Sequence, residues 1–262
     1  MEFKQVVGNR RSIRYFKPWK PVERDKIQAL LESANRSSRA MNADCAKAIV
    51  VNRNDLGADV LEAARTPTTT PAFDQAPVHI YWYLDMAYME GAQERLKMLV
   101  DVGALTAAQG WSHVYVDEVV YPTVIEPIKQ DPMLMGGLGA VEAGLAICQA
   151  QLAAVDEGLG ACLHAFNAEA VKGLLNPPDH WIPLWVMLVG YPAEDPEAGG
   201  QRPRSPLHEV FFEGSYGPEN GWREDPEVTA RLKEAGMIQR PAPLPERSEE
   251  LRALARMFGL PE

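Results

Sequence analysis

PMLMGGLGAVEAGLAICQAQLAAVDEGLGACLHAF, residues 132–166, is the stretch whose reading decides the fold. After its first residue it holds no proline, and up to Glu157 it is almost continuously apolar, which predicts one long helix over 132–157. Gly158 stands where a C-terminal helix cap belongs, and residues 161–166 then read as a strand. The helix approaches membrane-spanning length, yet Glu142, Gln149, Gln151 and its glycines predict a core or interface helix. Its opening Gly136-Gly137-Leu138-Gly139 invites comparison with phosphate loops. Glu142 stands where a dinucleotide fingerprint needs its last glycine, and no lysine follows, so close helix packing is the expected role. Taken alone, Gly158-Leu159-Gly160-Ala161-Cys162 is a cap leading into a strand.

Working outward, residues 23–35 place Ile27, Leu30, Leu31 and Ala34 on one stripe behind Pro21, an amphipathic helix. Residues 48–51 and 78–84 read as strands, with a helix over 55–65 and a loop over 66–71 between them. A longer helix, weakened by Gly91 and Gly103, is expected over 86–108. After the central run come a helix over 169–175, stopped by Asn176-Pro177-Pro178, and a strand over 184–191. Helices and strands alternate, so the class is α/β or α+β. Residues 111–129 are aromatic-rich and broken by Pro122 and Pro127, which argues against a long regular element; a lid and a packed surface excursion both fit. Residues 192–201 read as a polar linker, and the tail from Gly214 carries helices over 226–235 and 248–257.

The 262 residues, 46% hydrophobic and 24% charged, suffice for a sizeable core, and one large domain with appendages is expected. A formal net charge of −10 argues against the broad basic surface that a nucleic acid needs. Cys45, Cys148 and Cys162 show no Cys-x-x-Cys spacing and no His/Cys cluster, so neither a disulfide nor zinc is expected and a reducing cytoplasm fits. Met1-Glu2-Phe3-Lys4-Gln5 does not read as a signal or transit peptide. No histidine has a partner at metal-ligand spacing, and no Gly-x-Ser-x-Gly elbow occurs.

Against this acidic background two arginine stretches stand out, Arg10-Arg11-Ser12-Ile13-Arg14 and Arg202-Pro203-Arg204. In an extended backbone Arg10, Ser12 and Arg14 share one face, as do Arg202 and Arg204. Rigid forks of donors converging in this way suit a phosphate. Spacing alone leaves a solvated or ion-paired surface as the alternative.

The order of these motifs resembles the FMN-dependent nitroreductase family. Arg10-Arg11-Ser12-Ile13-Arg14-Tyr15-Phe16 is similar to that family's opening motif, and the helix to Asn35 with Ser37-Ser38 and Asn42 follows in the family order. The central helix ending in Gly158-Leu159-Gly160-Ala161-Cys162, the strand over 183–191 and Arg204-Ser205-Pro206-Leu207-His208-Glu209-Val210 complete a match over about residues 3–212. The resemblance implies an α+β fold: a central, mixed but mainly antiparallel sheet flanked by helices, in an intertwined homodimer with FMN at the subunit interface. It assigns residues 1–213 to an FMN-binding domain; 111–129, the candidate lid, and the helical C-terminal extension 214–262 have no counterpart in the match. It also implies FMN binding by Arg10, Ser12, Arg14, Ser37, Asn42, Arg202 and Arg204, by Arg11 through its backbone, and by Gly158, Leu159 and Gly160, whose backbone would lie along the flavin edge near N5. The chain departs from the family at Asn42-Ala43-Asp44-Cys45-Ala46, where Asn-x-Gln-Pro-Trp is usual, after a short insertion following Ser38.

The implied function is an oxidoreductase that moves electrons from NADH or NADPH through FMN to a nitroaromatic, quinone or activated alkene, with no catalytic side chain of its own. A specialised dehydrogenase, dehalogenase or flavin-degrading oxygenase of the same fold is one alternative, and a non-catalytic flavin-binding protein is another. The implied partners are a nicotinamide, a small-molecule acceptor and a second copy, in the cytoplasm and without nucleic acid or membrane.

Overall fold

The structure, a computed structural model, describes residues 1–68 and 71–261. Of the loop expected over 66–71, residues 69 and 70 therefore lie outside the described residues. Four strands, β1 (Ala46–Asn52), β2 (Val78–Asp85), β3 (Gly160–His164) and β4 (Trp181–Gly190), form one sheet in the order β1-β2-β4-β3. Every ladder is antiparallel, and parallel pairing among the described residues is confined to two isolated bridges, Ser12 with Ala161 and Gln201 with Pro241. The expected α+β fold with a mainly antiparallel sheet is thus observed.

The sheet is covered on both faces, which is why β2 is buried at every position. On one face Tyr81, Tyr83, Val186 and Leu188 pack with Phe16, Phe73 and Ile13. On the other, Ile80, Trp82, Met187 and Val189 meet Leu30 and Ala34 of the helix Arg24–Asn35, and Ala146, Ile147, Ala150 and Ala154 of the central helix Pro132–Asp156. Small residues recur on that face of the central helix so that it can lie close to the sheet. A Cβ on Gly139 would stand 2.6 Å from Leu84 Cδ1, so the packing role expected of this glycine holds. Asp131 caps the helix by accepting from the Met133 and Leu134 amides at 3.0 Å. The central helix is long and apolar enough to cross a membrane by length and composition.

Three expectations are corrected. The helix foreseen over 86–108 is confined to Ala92–Asp101, because Gly91 (φ 69°) and Gly103 (φ 74°) take left-handed conformations that end it on both sides. The stretch 111–129 is helical despite its prolines: His113–Tyr115, a π-helical Val116–Ile125 and Glu126–Gln130 follow without a break. Pro122 lies inside the π-helical part, where the Glu126 amide bonds to Tyr121 O, an i→i−5 spacing. That spacing relieves the clash with carbonyl i−4 that excludes proline from an α-helix. Val116, Val120 and Ile125 are buried against Leu84, Met89 and Leu96, so the segment is a packed part of the body. The third correction concerns 192–201, which is not a linker. Glu194, Ala198, Gly199 and Gly200 are buried, and Gly199 and Gly200 have φ of 78° and 105°.

The C-terminal helices form as expected, at Pro226–Glu234 and Arg247–Phe258. Between them the chain returns to the N-terminus. Gln201 N donates to Arg240 O, Ala242 N to Gln201 O and Leu244 N to Gly199 O. Phe258 stacks on Tyr15 and Trp19, with ring centroids 6.3 and 6.2 Å apart.

Candidate anion-binding site

The segment Arg10–Lys17 meets the free edge of β3 at Ser12 and Ile13 and then pairs, through residues 15–17, with residues 191–193 beyond β4. Ile13 N donates to Ala161 O at 3.2 Å, Lys17 N to Tyr191 O at 2.9 Å, and Ala193 N to Tyr15 O at 2.8 Å. The period of two then divides its side chains. Arg11 and Ile13 point inward and are 7% and 4% exposed, while Arg10, Ser12 and Arg14 are half-buried on the opposite side. Gly160 makes the approach feasible, since a Cβ there would stand 2.8 Å from three side-chain carbons of Ile13. The alternation expected from the sequence is thus realised, and Arg10, Ser12 and Arg14 share a face.

The guanidinium groups of Arg10 and Arg14 have no carboxylate partner among the described residues; the Arg14 Nη1 contact is to Ser12 O at 3.1 Å. Some arginines elsewhere are ion-paired, Arg65 with Asp74, Arg39 with Asp44, Arg240 with Glu197 and Glu246, Arg247 with Glu194 and Glu250, whereas Arg53 and Arg95 bond to backbone carbonyls. Positive charge on this face acts on the groups around it. Burial and then the Arg14 charge lower the pKa of His164, and burial raises that of the Cys162 thiol against an opposing pull from Arg14.

The other residues named from the sequence divide into four groups. Arg11 is internal: its side chain donates to Gly8 O, to Arg10 O at 3.2 Å, to Glu197 O at 3.2 Å and to Gln239 Oε1 at 2.6 Å. Burial and then neighbouring Arg10 lower its pKa, with a smaller contribution from Arg202. Only the backbone of Arg11 is left for a ligand. Arg202 and Arg204 are both exposed, and Arg204 Nη1 has its contact with its own Pro203 O at 3.4 Å.

Gly158, Leu159 and Gly160 lie beside Arg10 and line, with Ile13 and Gln151, a cavity of about 260 Å³. The N–H groups of Gly158 and Leu159 donate to Val155 O (3.0 Å) and Ala154 O (2.7 Å), closing the central helix with Gly158 at φ 71°. Those two amides are committed to the helix end.

Ser37 and Asn42 sit apart from Arg10–Arg14, between the helix Arg24–Asn35 and β1, and no hydrogen bond joins the two groups among the described residues. Ser37 Oγ is buried without a hydrogen-bond partner, and Met41 and Asn42 hold φ of 55° and 52°. Glu142 on the central helix holds this segment by accepting from Ala40 N at 2.9 Å and from the Cys45 thiol at 3.5 Å. Asp44, the departure from the family pattern, is ion-paired with Arg39.

Two residues that sequence reading passed over support the arginine face. Glu194 accepts from the Arg14 amide and, at 3.1 Å, from the Tyr15 amide, and Gln75 Oε1 accepts from Phe16 N at 3.1 Å. Each is remote in sequence from the segment it holds, and the polar look of 192–201 concealed Glu194.

Fold and site together define a nitroreductase-fold protein with an arginine-lined face on its N-terminal segment. The resemblance seen in the sequence is borne out: the model of the Nitroreductase family matches residues 7–109. A Bacillus subtilis protein named FMN reductase (NADPH) is 32% identical over 96 residues, 36% of this chain and 36% of that protein. The match thus spans about a third of that curated relative's length. Among solved structures, a nitroreductase family protein from Streptococcus pneumoniae has a TM-score of 0.62 at 22% identity, covering 81% of this chain and 100% of that one. A nitroreductase from Exiguobacterium sibiricum, solved in complex with FMN, has a TM-score of 0.64 at 15% identity, covering 81% and 97%.

Proposed function

We propose that the chain is an FMN-dependent oxidoreductase that takes electrons from a reduced nicotinamide and delivers them to an electron-poor small molecule, such as a nitroaromatic, quinone or activated alkene. The observation that carries this reading is the face of Arg10, Ser12 and Arg14, a rigid donor set without a carboxylate partner in a chain of net charge −10. A phosphate monoester fits that set, because two guanidinium groups and a hydroxyl can satisfy its oxygens with charge-assisted bonds. The names of the relatives, FMN reductase (NADPH) and NADPH-dependent oxidoreductase, support the cofactor and the electron donor.

Bound FMN supplies hydride acceptance and donation, chemistry that no side chain provides. Arg10 and Arg14, with Arg202, would hold the phosphate, and Ser12 would add a neutral donor. Ser37 and Asn42 would serve the flavin from a different direction. Because Arg39 neutralises Asp44, the change from the family's usual Gln adds no uncompensated negative charge beside them.

The site is completed by a second copy in this reading. Ser12 and Arg14 line neither the 260 Å³ cavity nor the one of about 600 Å³. The central helix exposes Leu134, Leu138, Val141, Leu145 and Cys148, spaced four and three apart, the seam that two packed helices share. Pairing along it would bury apolar surface and bring Ser37 and Asn42 of one copy toward the arginine face of the other.

An absorbance spectrum of the purified protein before and after anaerobic NADPH tests the reading. Yellow protein that bleaches on NADPH is expected, with an Arg14→Ala variant binding FMN about tenfold or more weakly. Colourless protein that takes up no added FMN refutes it.

A further inference from the structure

The backbone ladder that fixes residues 15–17 against 191–193 stops at Ala193. Beyond it the side chain of Glu194 turns inward and takes over. One carboxylate oxygen accepts from the Arg14 and Tyr15 amides, and the other accepts from Arg247 Nη2 at 2.6 Å. The Glu194 side chain is 0% exposed and Arg247 15%, so this is a buried ion pair with both carboxylate oxygens occupied. Arg247 is itself fixed. Its Nη1 donates to Glu250 at 2.8 Å, Glu250 accepts from the Asp195 amide at 2.6 Å, and a Cβ on Gly199 would stand 2.7 Å from Arg247 Cδ. A residue of the last helix therefore reaches, through one carboxylate, the two amides that set where the Arg14 side chain leaves the backbone.

We propose that Arg247 is a positioning residue for the phosphate site, holding Glu194 so that Arg14 keeps its place on the arginine face; this rests on the reading that the face takes the FMN phosphate. Removing Arg247 leaves a buried carboxylate without its counter-charge. It must then either swing toward water or take up a proton. In both cases the Arg14 and Tyr15 amides lose a charged acceptor, and the end of the segment loosens. Arg10 and Ser12 stay pinned by the Ser12–Ala161 bridge and the Ile13–Ala161 hydrogen bond. The effect falls on the hold exerted by Arg14 and thus on the phosphate, more than on the flavin ring.

Riboflavin, which lacks the phosphate, separates this from a general loss of structure. Dissociation constants of FMN and riboflavin are measured by flavin fluorescence for the full-length protein and for R14A, R247M, R247K and E194Q. R14A and R247M are each expected to cut the preference for FMN over riboflavin about tenfold, with R247K retaining most of it and R247M adding little in an E194Q background. A preference reduced in R14A but kept within about twofold in R247M overturns the proposal. So does a parallel loss of both ligands in R247M. If R247M does not fold, E194Q decides: an undiminished preference overturns the proposal. An unchanged preference in R14A refutes the phosphate reading itself, a result distinct from failure of Arg247 alone.

Discussion

A single methyl group at position 160 should displace the arginine segment. A Cβ added to Gly160 stands 2.8 Å from Cβ, Cγ1 and Cγ2 of Ile13. Rotation about χ1 moves the two γ carbons but leaves Ile13 Cβ in place, so no rotamer relieves the contact. Ordinary contact begins near 3.4 Å, and the segment must therefore retreat from β3 by about 0.6 Å. The Ile13–Ala161 hydrogen bond, already 3.2 Å, then passes out of range, and Ile13, 4% exposed, loses part of its packing. Overpacking of this kind costs about 1–3 kcal/mol, and a lost hydrogen bond about 1 more. For a chain of this size each kcal/mol lowers Tm by about 2–4 °C, so Gly160→Ala should melt about 4–16 °C below the wild type and bind FMN less tightly. Gly137→Ala is the control: it lies in the central helix, its Cβ meets nothing within 4 Å, and it should raise stability by up to about 1 kcal/mol. Equal melting of the two variants, measured by circular dichroism, would refute the argument that close approach at Gly160 sets the position of the arginine segment.

Burial holds the His79 imidazole down at about 4, against about 6.5 when unfolded, so between these values the unfolded chain binds the extra proton and stability falls as pH falls from 6.5 toward 4. Up to about 3 kcal/mol is involved; urea titrations at pH 7 and pH 4.5 should show His79→Phe losing less stability on acidification than the wild type, and equal losses would count against the assignment. Asp131→Ala removes the acceptor for two N-terminal amides of the central helix and should cost about 1 kcal/mol in urea unfolding at neutral pH, whereas Asp131→Asn should cost much less.

Legibility in the sequence followed the range of the determining forces. The central helix was readable because its apolar run, its N-terminal proline and Gly158 act within a few residues of one another. The strands were readable because β2 and β4 are apolar runs that need only a neighbour, whichever neighbour it is. The helix foreseen over 86–108 failed because two glycines chose left-handed conformations there, while other glycines, such as Gly139, stayed helical where packing demanded it. Pro122 misled for the opposite reason: burial of Val116, Val120 and Ile125 favours a helix, and a wider turn accommodates the ring.

The same division runs through the site. The sequence by itself determined that Arg10, Ser12 and Arg14 share a face, since alternation along an extended chain is a local property. It also carried the resemblance that named a phosphate-bearing cofactor. Only the tertiary structure decided that Arg11 is an internal clamp, that the Gly158 and Leu159 amides are spent on a helix end, and that Glu194 and Arg247 stand behind Arg14. These are contacts between residues up to 228 positions apart, as from Arg11 to Gln239. Burial and chain return create them, and neither force leaves a periodic trace in the residues that meet.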